Sequence, residues 1–313
     1  MQDRFLIFIA RHAHKMPESA VRAVFAVLAW IVWALRLPPV QQLEKNIRHT
    51  QALRDPRISY RRLRHLSRLG VQSYFAYFAE AMTIKARSTE QINARVRIDG
   101  PYAEAIARQP AVSAFPAALG HQGNWDYAAL WAYGHIAPVA TVTENLKNKE
   151  LLDIFISIRE SLGITLFTTG DRDITEGLKK IMGSRRVIVP LLADRDLGRH
   201  GIFVRFFDSC IRASAGPAAL AFDMGVPLYV VNIYRERLDA VRRHAARCRS
   251  GYVLYISGVI QPDSWKDMGR AEALQQITQE WAAIYSQGLE KHPQDWHMMQ
   301  PIFLEDLDKG RLR

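Results

Sequence analysis

Residues 111–133 read AVSAFPAALGHQGNWDYAALWAY, an apolar run that leads through a polar hexapeptide into a helical pattern. The apolar run 111–119 predicts a buried strand, and the pattern over residues 127–133 predicts a helix. Between them, His121 stands at the end of the strand and Asp126 at the start of the helix. In α/β folds, binding sites form at this edge of the sheet, where the strands have their carboxyl ends. His121 is therefore a candidate general base for a substrate hydroxyl.

The same segment also has a simpler interpretation. A histidine followed five positions later by an aspartate occurs by chance in many chains. In addition, the helix dipole favours an aspartate such as Asp126 in the first turn of a helix. The motif needs support from other parts of the chain before a catalytic role follows.

The segment from residue 96 onward alternates between strand and helix patterns. The strand patterns lie at residues 111–119, 138–143, 164–168, 187–193, 226–234 and 252–260. Helix patterns lie among others at residues 171–183, opened by Asp171, and at 218–224 and 272–290. This alternation predicts an α/β fold with a mostly parallel central sheet flanked by helices.

Residues 1–95 carry helical spacing and few strand signals, so we expect an N-terminal helical extension. We expect residues 96–313 to form the α/β core, packed as one globular unit. No low-complexity stretch or internal repeat divides the chain.

Further blocks follow the His-x4-Asp hexapeptide. They are TENLK at residues 143–147, LLDIFISIRESLG at 151–163, VIVPLLADRDL at 187–197, FF at 206–207, ASAGPA at 213–218 and PQDWHM at 293–298. In this order they resemble the lysophospholipid acyltransferase superfamily. The resemblance is greatest to its bacterial lipid A acyltransferase branch and, within that branch, to actinobacterial phosphatidylinositol mannoside acyltransferases. It covers about residues 96–305.

The resemblance implies a membrane-associated O-acyltransferase. Such an enzyme transfers a long acyl chain from acyl-CoA to a hydroxyl of a phosphatidylinositol mannoside by direct attack on the thioester. It uses acyl-CoA as a substrate and needs no other cofactor. Two alternatives stay open: a lipid A acyltransferase supplied by an acyl carrier protein or acyl-CoA, and a non-enzymatic, basic membrane-binding protein. The motifs of α/β-hydrolases, dinucleotide-binding folds and phosphate loops are absent.

Two carboxylates are candidates for the partner of His121. Asp126 is the candidate by motif. Asp194 is the candidate by topology, because it ends the predicted strand 187–193 at the same edge of a parallel sheet. In the resemblance, a glutamate tends to stand at the position of Asp194, and aspartate is one methylene shorter. We expect His121, Asp126 and Asp194 to be the catalytic residues.

Six further residues are predicted to bind substrate: Gly123, Asn124, Glu144, Arg159, Arg195 and Asp196. The backbone N–H groups of Gly123 and Asn124 lie where they would face a developing oxyanion, with ordinary turn chemistry as the alternative.

The resemblance implies that Glu144 and Arg159 line the groove for the acceptor, with a surface ion pair as the alternative. We expect Arg195 and Asp196 to hold the rim of that groove by a salt bridge.

The chain is basic, with 42 Lys and Arg against 31 Asp and Glu and a formal charge of +11. This balance favours an anionic membrane surface or the phosphates of a coenzyme as partner, with a merely solvated basic face as the alternative. We expect no nucleic acid, because no zinc-finger, RNP-like or helix-turn-helix signature is present. The arginines cluster at positions 54, 57, 61, 62, 64 and 68 and at positions 235, 237, 242, 243, 247 and 249.

The two cysteines lack metal-ligand or redox spacing, so we expect a reducing compartment and no metal site. The uncharged run 23–35 falls short of the roughly 20 residues that a membrane-spanning helix needs. It is either a core helix or an interfacial helix with Trp30 and Trp33 at headgroup depth. We therefore expect a peripheral protein on the cytoplasmic face of the cell membrane.

Overall fold

The structure is a computed structural model that describes residues 12–145, 148–169, 173–196 and 201–307, apart from the side chains of His14 and Leu151. Over these residues it confirms the predicted N-terminal helical region. The helices are α1 (Glu18–Ala34), α2 (Pro38–Gln51), α3 (Tyr60–Thr83) and α4 (Thr89–Arg95). Residues 1–11 and 308–313, which were assigned to the extension and the core, lie outside the described residues.

Local chemistry explains where these helices begin. Pro38 occupies the first position of α2, where its fixed φ suits a helix and its missing N–H is not needed. Ser59 caps α3 by accepting a hydrogen bond from the backbone N–H of Arg62. Ser88 and Gln91 form a reciprocal capping box at the start of α4.

A five-stranded sheet forms the centre of the molecule. Its strands are β1 (Val96–Asp99), β2 (Phe115–Leu119), β5 (Ile188–Leu192), β8 (Leu228–Arg237) and β9 (Ser250–Ile260), in the spatial order β1-β9-β8-β2-β5. All neighbours are parallel except β8 and β9. The prediction of a mostly parallel sheet is confirmed.

Two small sheets accompany the central one. The predicted strands β3 (Ala140–Thr143) and β4 (Thr165–Thr168) pair with each other in parallel. An antiparallel hairpin, β6 (Ile202–Phe206) and β7 (Ser209–Ala213), was not among the predicted strands, and neither was β1. The hairpin turns at Phe207, whose φ of 55° is a conformation that sequence rules assign to glycine or asparagine.

The later helices are α5 (Ala103–Arg108), α6 (Trp125–His135), α7 (Lys149–Glu160), α8 (Ile174–Ser184), α9 (Gly216–Met224), α10 (Ala240–Ala246) and α11 (Arg270–Lys291). Helix α8 covers most of the predicted helix 171–183, whose first residue Asp171 lies outside the described residues. Alternate residues of β2 pack on opposite faces of the sheet, Ala118 with the cluster around α11 and Ala117 with the cluster around α6. The sheet therefore carries a hydrophobic core on each face.

Helix α1 presents apolar side chains on both of its faces. Val21 and Phe25 are buried and belong to the same hydrophobic cluster as residues of α3. On the other face Val27 and Trp30 are 59% and 58% exposed. By length and composition, no single described helix qualifies as a membrane span, although α1 and α2 do so together, with a bend of 79° between them.

Candidate active site

His121 lies in the loop after β2, where the chain leaves the sheet for α6. Gly120 precedes it. A Cβ at position 120 would collide with the hydroxyl of Tyr285 and lie 2.8 Å from the carboxylate of Asp194. The missing side chain therefore leaves room for Asp194 to approach the loop.

His121 and Asp194 form a hydrogen-bonded pair. Nδ1 of His121 lies 2.7 Å from Oδ1 of Asp194, and the backbone N–H of His121 donates to Oδ2 at 2.8 Å. The indole N–H of Trp296 donates to the same Oδ2 at 2.8 Å. Because Nδ1 is committed to Asp194, Nε2 is the ring nitrogen left to exchange a proton with a substrate.

The carboxylate of Asp194 is fully buried. Burial raises its pKa, but the charge of His121 and the hydrogen bonds from His121 and Trp296 together lower it more, so the pKa lies below its ordinary value. Asp194 is therefore ionised at neutral pH. An ionised partner fixes the orientation of the imidazole and stabilises its protonated form.

Sheet register explains why Asp194 reaches His121. Strands β2 and β5 are parallel neighbours, and Leu119 pairs with Leu192. The residues that follow both strands consequently meet at one edge of the sheet. The distance of 2.7 Å shows that an aspartate at this position is long enough to reach the imidazole.

Asp126 has different partners. It accepts a hydrogen bond from the hydroxyl of Tyr77 at 3.0 Å and pairs with Arg159 at 2.7 Å, and it makes no hydrogen bond to His121. Burial lowers the pKa of Arg159, but Asp126 and Tyr77 together raise it more, so its pKa lies above the ordinary value. Asp194 is therefore paired with the imidazole of His121, and Asp126 with the permanently charged guanidinium of Arg159. A catalytic role for Asp126 stays a prediction.

Gly123 and Asn124 hold the loop in place. The backbone N–H of Gly123 donates to the carbonyl of Asp295 at 2.8 Å, so in this arrangement it is not available to an oxyanion. The side chain of Asn124 caps α6 by accepting from the N–H of Tyr127 and donates to Glu80 at 2.9 Å. These are the turn and capping uses that the sequence left as the alternative. Contact with substrate stays a prediction for both residues.

Two ion pairs stand at the other positions predicted to bind substrate. Arg195 donates to Glu144 at 2.9 Å, and both residues line the cavity described below. Asp196 pairs with Arg212 at 3.3 Å. The expected salt bridge does not join Arg195 to Asp196, because Arg195 pairs with Glu144 after β3 and Asp196 pairs with Arg212 on β7. Among the described residues, no three His, Cys, Asp or Glu side chains are grouped closely enough to hold a metal ion.

A cavity of about 420 Å³ opens beside His121 and runs between the sheet and α6. Near His121, polar side chains line it, including Glu144, Arg159 and Arg195. Further in, the lining is apolar and ends near Ile188, which pairs with Phe115 at the amino end of β2. The inner lining includes Ile106, Ala117, Ala128, Ala132, Ile136 and Ile164.

Several residues at this site were not among the predicted site residues. Helix α3 contributes Tyr74, Tyr77 and Phe78 to the cavity wall. Near the C-terminus, Trp296 holds Asp194, and the backbone N–H of His297 donates to the carbonyl of His121 at 2.7 Å. Trp296 and His297 lie in the PQDWHM block, which contributes to the family resemblance but does not by itself predict their contacts with Asp194 and His121.

A histidine paired with a buried aspartate beside an apolar cavity is an arrangement suited to acyl transfer. The chain belongs to the bacterial lipid A biosynthesis acyltransferase family, whose model matches residues 3–305. It is 31% identical over 307 residues to a phosphatidylinositol mannoside acyltransferase of Mycolicibacterium smegmatis, covering 96% of this chain and 91% of that protein. It is also 31% identical over 306 residues to one of Mycobacterium tuberculosis, covering 95% of this chain and 86% of that protein.

Proposed function

We propose that the protein transfers a long acyl chain from acyl-CoA to a hydroxyl of a phosphatidylinositol mannoside. The observation that carries this proposal is the His121–Asp194 pair at the mouth of an apolar cavity. The pair is suited to activate a hydroxyl, and the cavity is suited to hold a hydrocarbon chain.

In the proposed reaction, Nε2 of His121 takes the proton of the acceptor hydroxyl as its oxygen attacks the thioester carbonyl carbon. The C–O bond forms, and the carbonyl electrons move onto the oxygen to give a tetrahedral intermediate. When they return, the C–S bond breaks. His121 then gives its proton to the departing thiolate, so the products are an ester and free CoA. Asp194 stabilises the imidazolium between these two proton transfers.

The cavity supports a long-chain donor. From His121 back to the level of Phe115 it spans about six residues of a strand, or roughly 20 Å at about 3.3 Å per residue. Each methylene buried along this path contributes about 0.8 kcal/mol. An acetyl group would leave most of this surface without contacts.

The charged mouth supports a polar, phosphate-bearing substrate. Nε of Arg195 is buried and has no hydrogen-bond partner among the described residues, which leaves one N–H available to a ligand. Glu144 beside it, about half exposed, is a suitable acceptor for sugar hydroxyls. The two side chains together suit a glycolipid with an anionic headgroup.

The outer face of α1 supports peripheral attachment to the cytoplasmic face of the cell membrane. Exposed Val27 and Trp30 are suited to the boundary between headgroups and acyl chains. The guanidinium of Arg64 stacks on Trp33 at 4.2 Å, which connects this face to the first arginine cluster. Arginines beside an apolar face favour anionic lipids.

One assay tests the proposal. The purified chain receives palmitoyl-CoA with phosphatidylinositol mannoside micelles, CoA release is followed with a thiol reagent, and the lipid product is identified by mass spectrometry. We expect the mannolipid to accelerate CoA release and to become acylated.

Parallel reactions separate the alternatives. Acylation of a lipid A precursor but not of the mannolipid would mean that the acceptor is a lipid A precursor. A requirement for acyl carrier protein would mean that the donor is acylated carrier protein rather than acyl-CoA. No CoA release from any pair of substrates would favour a non-enzymatic, membrane-binding protein.

A further inference from the structure

A second histidine, His297, lines the cavity and takes no part in the reaction described above. It is 6% exposed, and its backbone N–H is bonded to the carbonyl of His121. The rings of Tyr74, Tyr77 and Trp125 surround its imidazole, with centroid distances of 5.6, 5.7 and 5.9 Å. Both histidines therefore line one cavity, a backbone hydrogen bond joins the two residues, and both imidazoles lie near the ring of Trp125.

A chain of buried hydrogen bonds leads away from His297. Its Nε2 lies 3.1 Å from the hydroxyl of Ser73, and that hydroxyl donates to Oδ1 of Asp295 at 3.0 Å. The other oxygen of Asp295 accepts from the backbone N–H of Arg235 at 3.0 Å. Nδ1 of His297 is buried and has no hydrogen-bond partner among the described residues.

This chain sets the tautomer of His297. A serine hydroxyl has one hydrogen, and here that hydrogen points at the carboxylate of Asp295. Ser73 must therefore accept from Nε2–H of His297, and Nδ1 is left with a lone pair and no hydrogen. A buried acceptor without a donor is unfavourable, so Nδ1 is ready for a hydroxyl of a ligand.

We propose that His297 binds the acyl acceptor by accepting at Nδ1 a hydrogen bond from a hydroxyl next to the one that His121 deprotonates. This inference rests on the proposed function. Two neighbouring imidazoles then recognise two neighbouring hydroxyls, which a sugar ring offers and a simple alcohol does not.

Protonation of Asp295 reverses the chain. Burial raises the pKa of Asp295 to about 6 and lowers that of His297 to about 3, so the carboxyl group titrates while the imidazole stays neutral. Once protonated, Asp295 donates to Ser73, Ser73 donates to Nε2, and Nδ1 carries the hydrogen. The acceptor hydroxyl can then only accept from Nδ1–H, and its own hydrogen loses the acceptor that Nδ1 provided. We therefore expect its binding to weaken as the pH falls through about 6.

The other groups around this chain do not titrate in its place. Burial raises the pKa of the Tyr74 and Tyr77 phenols on α3, so both stay neutral. Arg235 on β8 stays charged. In the proposed reaction His121 takes part in the formation of both products, so its contribution cancels when two products of the same enzyme are compared.

The test measures the partition of one acyl donor between two products. Palmitoyl-CoA is supplied with a limiting amount of phosphatidylinositol mannoside, and the ratio of acylated lipid to free palmitate is measured. His297→Phe keeps an aromatic ring among its three neighbours but removes both nitrogens. We expect it to lower the ratio about tenfold. With 1-octanol as acceptor, which has a single hydroxyl, we expect the ratio of ester to palmitate to change less than about twofold.

The pH dependence gives a second readout that does not depend on the folding of His297→Phe. In the wild type the ratio should fall from about pH 7.5 to about pH 5. Ser73→Ala interrupts the chain, so its ratio should be the same at both pH values. Ser67→Ala is the matched control, because Ser67 is a buried serine on the same helix whose hydroxyl is bonded to Glu44. Its ratio should keep the wild-type slope.

The outcomes separate this inference from the proposed function. A wild-type ratio in His297→Phe, an equal loss with 1-octanol and the mannolipid, or a wild-type slope in Ser73→Ala would overturn the inference and leave the acyltransferase proposal standing. If the wild-type protein forms no acylated mannolipid, the proposed function fails and the inference fails with it.

Discussion

Two buried aspartates at this site have partners of different chemistry. Asp194 holds the imidazole of His121, a ring that can accept and release a proton during a reaction. Asp126 holds the guanidinium of Arg159, which keeps its charge under all these conditions. A carboxylate beside an imidazole supports proton transfer, whereas one beside a guanidinium neutralises a fixed charge. We therefore expect proton transfer at the first pair and a structural role in the cavity wall for the second.

The largest expected effect is at His121. His121→Ala should lower turnover by about 10²–10⁴, because it removes the base. Asp194→Asn should approach the same loss, and the double variant should lose little more, since the two residues act as a unit. The assay is acylation of the mannolipid at saturating donor. If the two losses simply add, Asp194 has a separate task.

Asp126→Asn should act mainly on stability. It leaves the largely buried charge of Arg159 without its partner, which should lower the free energy of unfolding by about 3 kcal/mol. Urea denaturation measures this loss. Asp126→Asn combined with Arg159→Gln should recover most of the stability, because neither charge then remains. A turnover loss as large as that of His121→Ala in a stably folded Asp126→Asn would contradict a purely structural role and indicate that Asp126 is catalytic.

Helix α6, which carries Asp126 in its first turn, also contributes Ala132 to the cavity wall. Ala132→Leu should shorten the preferred acyl chain, because its added carbons displace about two or three methylenes of the donor. At about 0.8 kcal/mol each, kcat/KM should fall about tenfold or more for a sixteen-carbon thioester relative to a twelve-carbon one. Ala105→Leu, at an exposed position on α5, is the matched control. An unchanged preference would mean that the chain lies elsewhere.

The smallest expected effect concerns the two faces of α1. Val27→Asp on the exposed face should weaken binding to anionic vesicles about tenfold, because a charge would enter the interface. Flotation measures binding, which should also weaken as salt rises. Val241→Asp provides the control, since Val241 is 81% exposed and lies on a different helix, α10. Equal effects of both substitutions would argue against α1 as the membrane-facing helix.

The sequence predicted the residues whose positions depend on local pattern and strand order. An apolar run ending at Ala193 predicts a strand, and parallel neighbours place their ends together, so Asp194 could be anticipated beside His121. Neither local pattern nor strand order predicts the contacts of Trp296 and Ser73, because these contacts join parts of the chain that lie far apart in sequence. The β6–β7 hairpin was missed for a local reason, since Phe207 stands in a turn conformation that is rare for its residue type.

The hold of Trp296 on Asp194 has a consequence for protein synthesis. A ribosome makes His121 and Asp194 long before the segment 295–297, which supplies the indole and the backbone contacts that fix both of them. A nascent chain can therefore fold much of its sheet while its base is still incompletely oriented. We therefore expect His121 and Asp194 to reach their final arrangement only after the segment 295–297 has packed against the edge of the sheet.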